Sequence, residues 1–401
     1  MMREMAHTRI PVAAEVLEWA RMSAGLSVDD AARKIGVSEP ILKRWESGDL
    51  DPTVAQLRRA SHAYGRPLAV LLLPERPSAL GFDALRDFRT LDAAGARWSP
   101  RLHTEFRRAL TQREVMLELL EVSPASVPQP KPLPKIAVND DPESAGEQVR
   151  TFLGVSEADQ SRAADAREAL NLWLAAAEAQ GILVIQTAGI PLEEMRGFSV
   201  SEWPYPVVAL NGSDWPRPRL FTLLHEIAHL SLNVGGICDL SEPGPANRRT
   251  EANLEQMCNS IAASALLPAS ALLRHPLVTG RSYDHDWPLE DLATLSRRFG
   301  ASSEAVLLRL ITLNRATWET YNTRRAELTL GYQEAREAER QRRKEAEGGP
   351  SYYVVKARDI GHAYASSVLD AYRANRISAL DVAEYLTIRY SQLRAFEAVV
   401  R

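Results

Sequence analysis

Residues 220–232 read LFTLLHEIAHLSL, an apolar run broken by three groups that water solvates strongly: His225, Glu226 and His229. Leu220, Phe221, Leu223, Leu224, Ile227, Ala228, Leu230 and Leu232 call for a buried helix. Burying two imidazoles and a carboxylate among them is costly unless something satisfies those groups. On a helix, positions i and i+4 share one face, so His225 and His229 can offer nitrogens to one metal ion. Glu226 lies about 100° round the same helix. There it is off the ligand position but within reach of a water that the ion acidifies. Paired histidines on a solvated helix face would not carry this apolar flank. The run predicts a buried helix built around a metal.

A catalytic zinc usually takes three protein ligands. The stretch EANLEQMCNSIAASALLP, 251–268, offers Glu251 and Glu255 one helical turn apart. Glu255 follows the inward stripe with Cys258, Ala262, Ala265 and Leu266, which makes it the better third ligand. Glu251 reads as a solvated first-turn acid favoured by the helix dipole. Asn259 is placed to hydrogen-bond a ligand histidine and fix its tautomer. Cys258 reads as a small core residue. Zn²⁺ suits this His/His/carboxylate set, and Mn²⁺ would tolerate it.

The rest of the chain predicts a mainly α protein with a small β-sheet (α+β). Closely spaced short helices fill 11–75, with Ser27 and Ser38 as N-caps and Gly36 and Gly48 as stops. A long amphipathic helix is expected over about 83–122. Five prolines at 124, 128, 130, 132 and 134 then suit an extended spacer. GILVIQT, RGFSV and PVVALNG read as three strands before the His225 helix. A loop at 233–247 leads to a helix beginning near Arg248. The hairpin at 292–310, with Gly300 in its turn and Ser302 as cap, reads as a packing element. Residues 313–347, rich in Glu, Arg, Gln and Ala, read as a solvated helix. These signals divide the chain into 1–76, a connector at 77–142, 143–312 and a helical segment at 313–401.

RLFTLLHEIAHLSL followed by LEQMCNSIAASALLP resembles the ImmA/IrrE family of metallopeptidases. That family shows an FTxxHExxH helix and then a Glu-x-x-x-Asn-x-x-Ala-Ala…Leu-x-Pro helix, and the likeness covers roughly 145–312. It implies a gluzincin-like metallopeptidase domain: a zinc-dependent endopeptidase with His225, His229 and Glu255 as ligands and Glu226 as base. The family's usual substrates are helix-turn-helix repressors, whose cleavage relieves stress-response or mobile-element genes. Cys258 and Ile261 depart from the family pattern without touching the ligand set. The architecture implied would put PVVALNG at a sheet edge, where an extended peptide can add as a further strand. Tyr205 and Arg219 are candidates for stabilising the oxyanion.

SVDDAARKIGVSEPILKRWESGDLDPTVAQLRRASHAY, 27–64, resembles the Xre/Cro-type helix-turn-helix domain. In such a domain the start of the second helix enters the major groove, here Ser38, Glu39, Pro40, Lys43 and Arg44. Trp45 reads as core. Over residues 1–76 there are 11 Lys/Arg against 10 Asp/Glu, so the attraction to phosphates is weak, and Glu39 would face them unfavourably. DNA binding and a protein-binding or dimerising role both stay open for this module, and a homodimer is compatible with either.

A net charge of −4 excludes a globally basic nucleic-acid coat. Cys238 and Cys258 have no CxxC spacing, and no apolar run reaches the roughly 18 residues of a membrane span. A reducing, cytoplasmic setting is expected. Two classes of function follow. One is a zinc endopeptidase that cuts a repressor-like protein, its N-terminal module recruiting it to DNA or to that substrate. The other is a DNA-binding regulator or antitoxin-type binding protein that uses the peptidase fold as a scaffold. His225, His229 and Glu226 are all present, which favours the enzyme.

Overall fold

Side chains that cap, and glycines that stop, set the first helices: α1 (Ala14–Met22), α2 (Val28–Ile35), α3 (Glu39–Glu46) and α4 (Val54–Tyr64). Ser27 accepts the Asp30 N–H, and Thr53 forms a reciprocal capping box with Gln56; such caps contribute about 1 kcal/mol each. Gly36 closes α2 at φ 74°, a left-handed conformation that any side chain would strain. Val16, Leu17, Ile35, Leu42, Trp45, Leu57 and Tyr64 are at most 1% exposed and form the core of this unit. A two-pronged ion pair from Arg21 to Glu46, 2.7 and 2.9 Å, ties α1 to the end of α3.

The computed structural model describes residues 9–76, 98–233, 237–238, 248–345, 349 and 351–400. The chain divides between Leu110 and Thr111 into two compact units. Helix α5 (Pro100–Val122) spans that division. Of the helix expected over 83–122, the part before Trp98 lies outside the described residues, as do 234–236 and 239–247 of the expected loop.

In the second unit, α6 (Pro142–Leu153), α7 (Glu157–Arg162) and α8 (Ala166–Ala179) precede β1 (Leu183–Thr187), β2 (Gly197–Val200) and β3 (Val207–Asn211). Helix α9 (Pro216–Ser231) carries both histidines; β4 (Ile237–Cys238) and α10 (Arg248–Leu266) follow. The sheet order is β1-β3-β2-β4, with β1 parallel to β3 and β2 antiparallel to both neighbours. PVVALNG is therefore a central strand, paired on both sides, and not the expected edge. The outer neighbour of β2 is β4, a two-residue strand inside what read as loop.

One sheet face, with Val184, Val208 and Leu210, packs on Leu220, Leu223, Leu224 and Ile227 of α9. Helices α11 (Ala269–Leu273), α12 (Leu289–Phe299) and α13 (Ser303–Thr312) complete this core. Leu292, Leu295, Phe299, Val306, Leu307 and Leu310 are buried in it, and Ser302 caps Ala305. The second hairpin is thus a packing element. Helix α14 (Trp318–Glu345) is the charged, largely exposed helix the composition predicts. The chain ends with α15 (Tyr352–Ile360), α16 (His362–Arg373), α17 (Ala379–Tyr385) and α18 (Leu393–Val400), and α15 packs against β1.

The proline-rich stretch differs from the spacer that composition suggests. Pro124–Ser126 forms a single 3-10 turn, and Val127 and Ile136 are buried. Lys131 donates its backbone N–H to Gln180 O at 3.0 Å, and Tyr205 Oη donates to Pro128 O at 2.8 Å. Proline lacks an N–H but keeps its carbonyl. Such a segment can dock through its acceptors. Among the described residues, no helix is long and apolar enough to cross a membrane.

Candidate metal centre

Pro216 starts α9 at a position where its missing N–H costs nothing. From Leu220 on, the helix is enclosed by the sheet, α8 and α10, because its apolar residues cover almost its whole circumference. His225 is 8% exposed, His229 4% and Glu226 0%. The i, i+4 spacing brings His225 Nε2 to 3.1 Å from His229 Nε2. Helix α10 delivers Glu255, whose Oε2 lies 3.3 Å from His225 Nε2 and whose Oε1 lies 3.3 Å from His229 Nε2. Glu255 is the most open of the three, with 42% of its side chain exposed, so the pocket faces solvent on that side.

These donors fit a small divalent cation. Two tetrahedral ligands at about 2.0–2.1 Å from zinc stand roughly 3.3–3.4 Å apart, close to the triangle observed. The electrostatics agree. Burial lowers the His229 pKa, but hydrogen bonding to Cys258 and Glu255 and the charge of Glu226 outweigh it and push it up to about 10. Burial raises Glu255, but the hydrogen bonds from His225 and His229 prevail and bring it down to about 2. Both shifts share one cause, carboxylates that favour positive charge at the imidazoles, and a metal cation held there would take the place of the His229 proton.

Among the described residues, His225, His229 and Glu255 form the cluster able to hold a metal. The side chain of Glu251 lies outside the described residues. Asn259 does not take the supporting role expected of it. It is exposed, and the Nδ1 atoms of His225 and His229 have no hydrogen-bond partner among the described residues. The inward stripe of α10 runs through Cys258, Ala262 and Ala265, all fully buried, and Asn259 falls on its flank. Cys258 is instead the residue beside His229; it is a free, buried thiol.

Both oxyanion candidates are committed to the scaffold. Tyr205 is fully buried, with its hydroxyl on Pro128 O. Arg219 is 7% exposed and donates to the Gln186 side chain from within the core. In the first unit, Ser38, Lys43 and Arg44 are exposed at α3, while Trp45 is core. Glu39 pairs with Lys43 at 3.5 Å, so part of that helix's positive charge is already answered within it. Ser38 occupies the N-cap position without a side-chain cap bond.

Sequence reasoning missed Gly197. The only signal was a glycine inside a strand pattern, which marks close approach of another element. A Cβ there would lie 2.9 Å from Glu226 Oε1.

Two family models match the chain: the IrrE N-terminal-like domain of peptidase family M78 over residues 177–311, and a helix-turn-helix over residues 17–71. No curated protein matches it. The peptidase match begins at 177, yet Ala145, Val149, Leu153 and Trp173 are buried in the same core as α9 and α10.

Proposed function

We propose that this chain, a helix-turn-helix domain joined to a metallopeptidase domain of the IrrE N-terminal-like type, is a zinc-dependent endopeptidase of gluzincin type. Its substrate on this reading is a helix-turn-helix repressor. One observation carries the proposal: three donor atoms converge within 4.8 Å of one another beside a fully buried glutamate on the same helix.

Zinc held by His225 Nε2, His229 Nε2 and Glu255 would supply a Lewis acid that polarises a peptide carbonyl and acidifies water. Mn²⁺ would suit the same donors. The remaining chemistry belongs to side chains. A Glu226 carboxylate oxygen takes the proton of the attacking water and returns it to the departing amide nitrogen. Burial keeps that carboxylate away from bulk water, where its charge would be screened. The N-terminal domain raises the local concentration of substrate, either by pairing with a similar domain or by meeting it on shared DNA.

The test is metal analysis of the purified protein beside incubation with a helix-turn-helix repressor encoded near it, products read by mass spectrometry. Zinc near one equivalent with discrete cleavage, lost in Glu226→Gln, supports the proposal. Metal-free protein, or equal cleavage by Glu226→Gln, sinks it. A second reading, a DNA-binding regulator with the peptidase fold as scaffold, draws on the exposed Ser38, Lys43 and Arg44 of α3. It requires regulation in cells to survive Glu226→Gln unchanged.

A further inference from the structure

Glycine inside a strand sacrifices packing and backbone entropy, so it is kept where another element comes too close for a side chain. Gly197 sits in β2 with Leu210 of β3 opposite it on one side and Cys238 of β4 on the other. Ladders on both sides hold its backbone in place. Its missing Cβ points at α9. An added Cβ would lie 2.6 Å from Thr222 Cγ2, 2.9 Å from Glu226 Oε1 and 3.1 Å from Ala209 O. Thr222 and Glu226 are one turn apart on one helix face, so the β2 backbone slots between their side chains.

We propose that Gly197 is a positioning residue for Glu226: the absence of its side chain lets the Glu226 carboxylate stand against β2, beside Thr222 Cγ2. The three neighbours differ in how far they can give way. Ala209 O belongs to the ladder, and Thr222 is β-branched and stiff at χ1. Glu226 alone has a long side chain able to swing. Being 0% exposed, it has no solvent to swing into. A methyl group at 197 therefore acts first on the carboxylate next to His225, and through it on the metal pocket. A displacement of about 1 Å at such a group can cost a hundredfold in rate. This inference rests on the peptidase reading only where hydrolysis is the readout.

The experiment compares Gly197→Ala, Thr222→Ser and their combination, each loaded with Co²⁺, and repeats Gly197→Ala in a Glu226→Ala background. Gly197→Ala is expected to bind the same equivalents of Co²⁺ as the parent. The pH midpoint of its visible spectrum should move by about half a unit or more, and kcat should fall about tenfold or more with little change in KM. Thr222→Ser, which removes the nearest atom, should not restore either property. In the Glu226→Ala background, Gly197→Ala should lower the melting temperature far less than in the parent, because the displaced carboxylate is gone.

A parent-like spectrum and kcat in Gly197→Ala overturn the proposal. So does full restoration by Thr222→Ser, which would make the glycine a spacer between strand and helix. If Gly197→Ala fails to fold alone, folding in the Glu226→Ala background supports the proposal and misfolding in both overturns it. A parent protein that cuts no peptide defeats the proposed function, while the Co²⁺ spectra and the thermal comparison still decide the role of Gly197.

Discussion

Glu178, near the end of α8, accepts the backbone N–H of Ala363 at 3.2 Å and so caps the first turn of α16, 185 residues later in the chain. Gly361 makes the junction feasible: at φ 89°, a Cβ there would fall 2.5 Å from Val184 O of β1. The C-terminal helices are therefore bonded to the unit that holds the metal site.

Burial raises the Glu178 pKa from 4.5 to about 7, against the lowering effect of backbone hydrogen bonds from Ala363 and His362. The folded chain then holds a proton that the unfolded chain releases between pH 4.5 and about 7. Stability from this group is fully present below that window and is lost as pH rises through it. Glu178→Gln keeps an acceptor without the charge. Its urea-denaturation midpoint should fall less than the parent's between pH 5 and 8; parallel curves would contradict the assignment.

His225→Ala and Glu255→Ala should weaken zinc binding by more than the roughly 10–100-fold that loss of a supporting contact costs. Competition against a chromophoric chelator measures this directly. Zinc should also raise the melting temperature of the parent and not of His225→Ala. Full affinity in Glu255→Ala would move the third ligand to another residue, with Glu251 next in line.

Tyr205→Phe separates scaffold from chemistry. Losing the bond to Pro128 O should cost about 1–2 kcal/mol of stability and leave kcat within about twofold, since a hydroxyl spent on the scaffold contributes no transition-state energy. A large fall in kcat at unchanged stability would return the hydroxyl to the list of oxyanion donors.

Lys43→Ala combined with Arg44→Ala should weaken DNA binding by the α3 surface, and the slope of log affinity against log salt should flatten by about two. Glu39→Ala frees Lys43 from its 3.5 Å pair and should strengthen binding. If affinity for DNA is independent of salt in the parent, the first unit works on protein instead.

Much of the site was legible because its signals are local. His225 and His229 share a face by helical geometry alone, and Glu255 lies near the apolar stripe of α10. The caps at Ser27 and Ser302 and the stops at Gly36 and Gly300 each depend on residues within about four positions. Tertiary structure decided the rest, because those features depend on partners far apart in sequence. PVVALNG became a central strand only when β1 and β2 paired on its two sides. Asn259 was turned outward by the packing of Cys258 and Ala262. The prolines at 124–134 docked because Gln180 and Tyr205 met their segment. The approach of Gly197 to Glu226 needed a strand and a helix laid against each other at one register. Periodicity and capping are properties of one segment; edges, contacts and cavities are properties of two, and the second lies too far along the chain for a local pattern to reveal it.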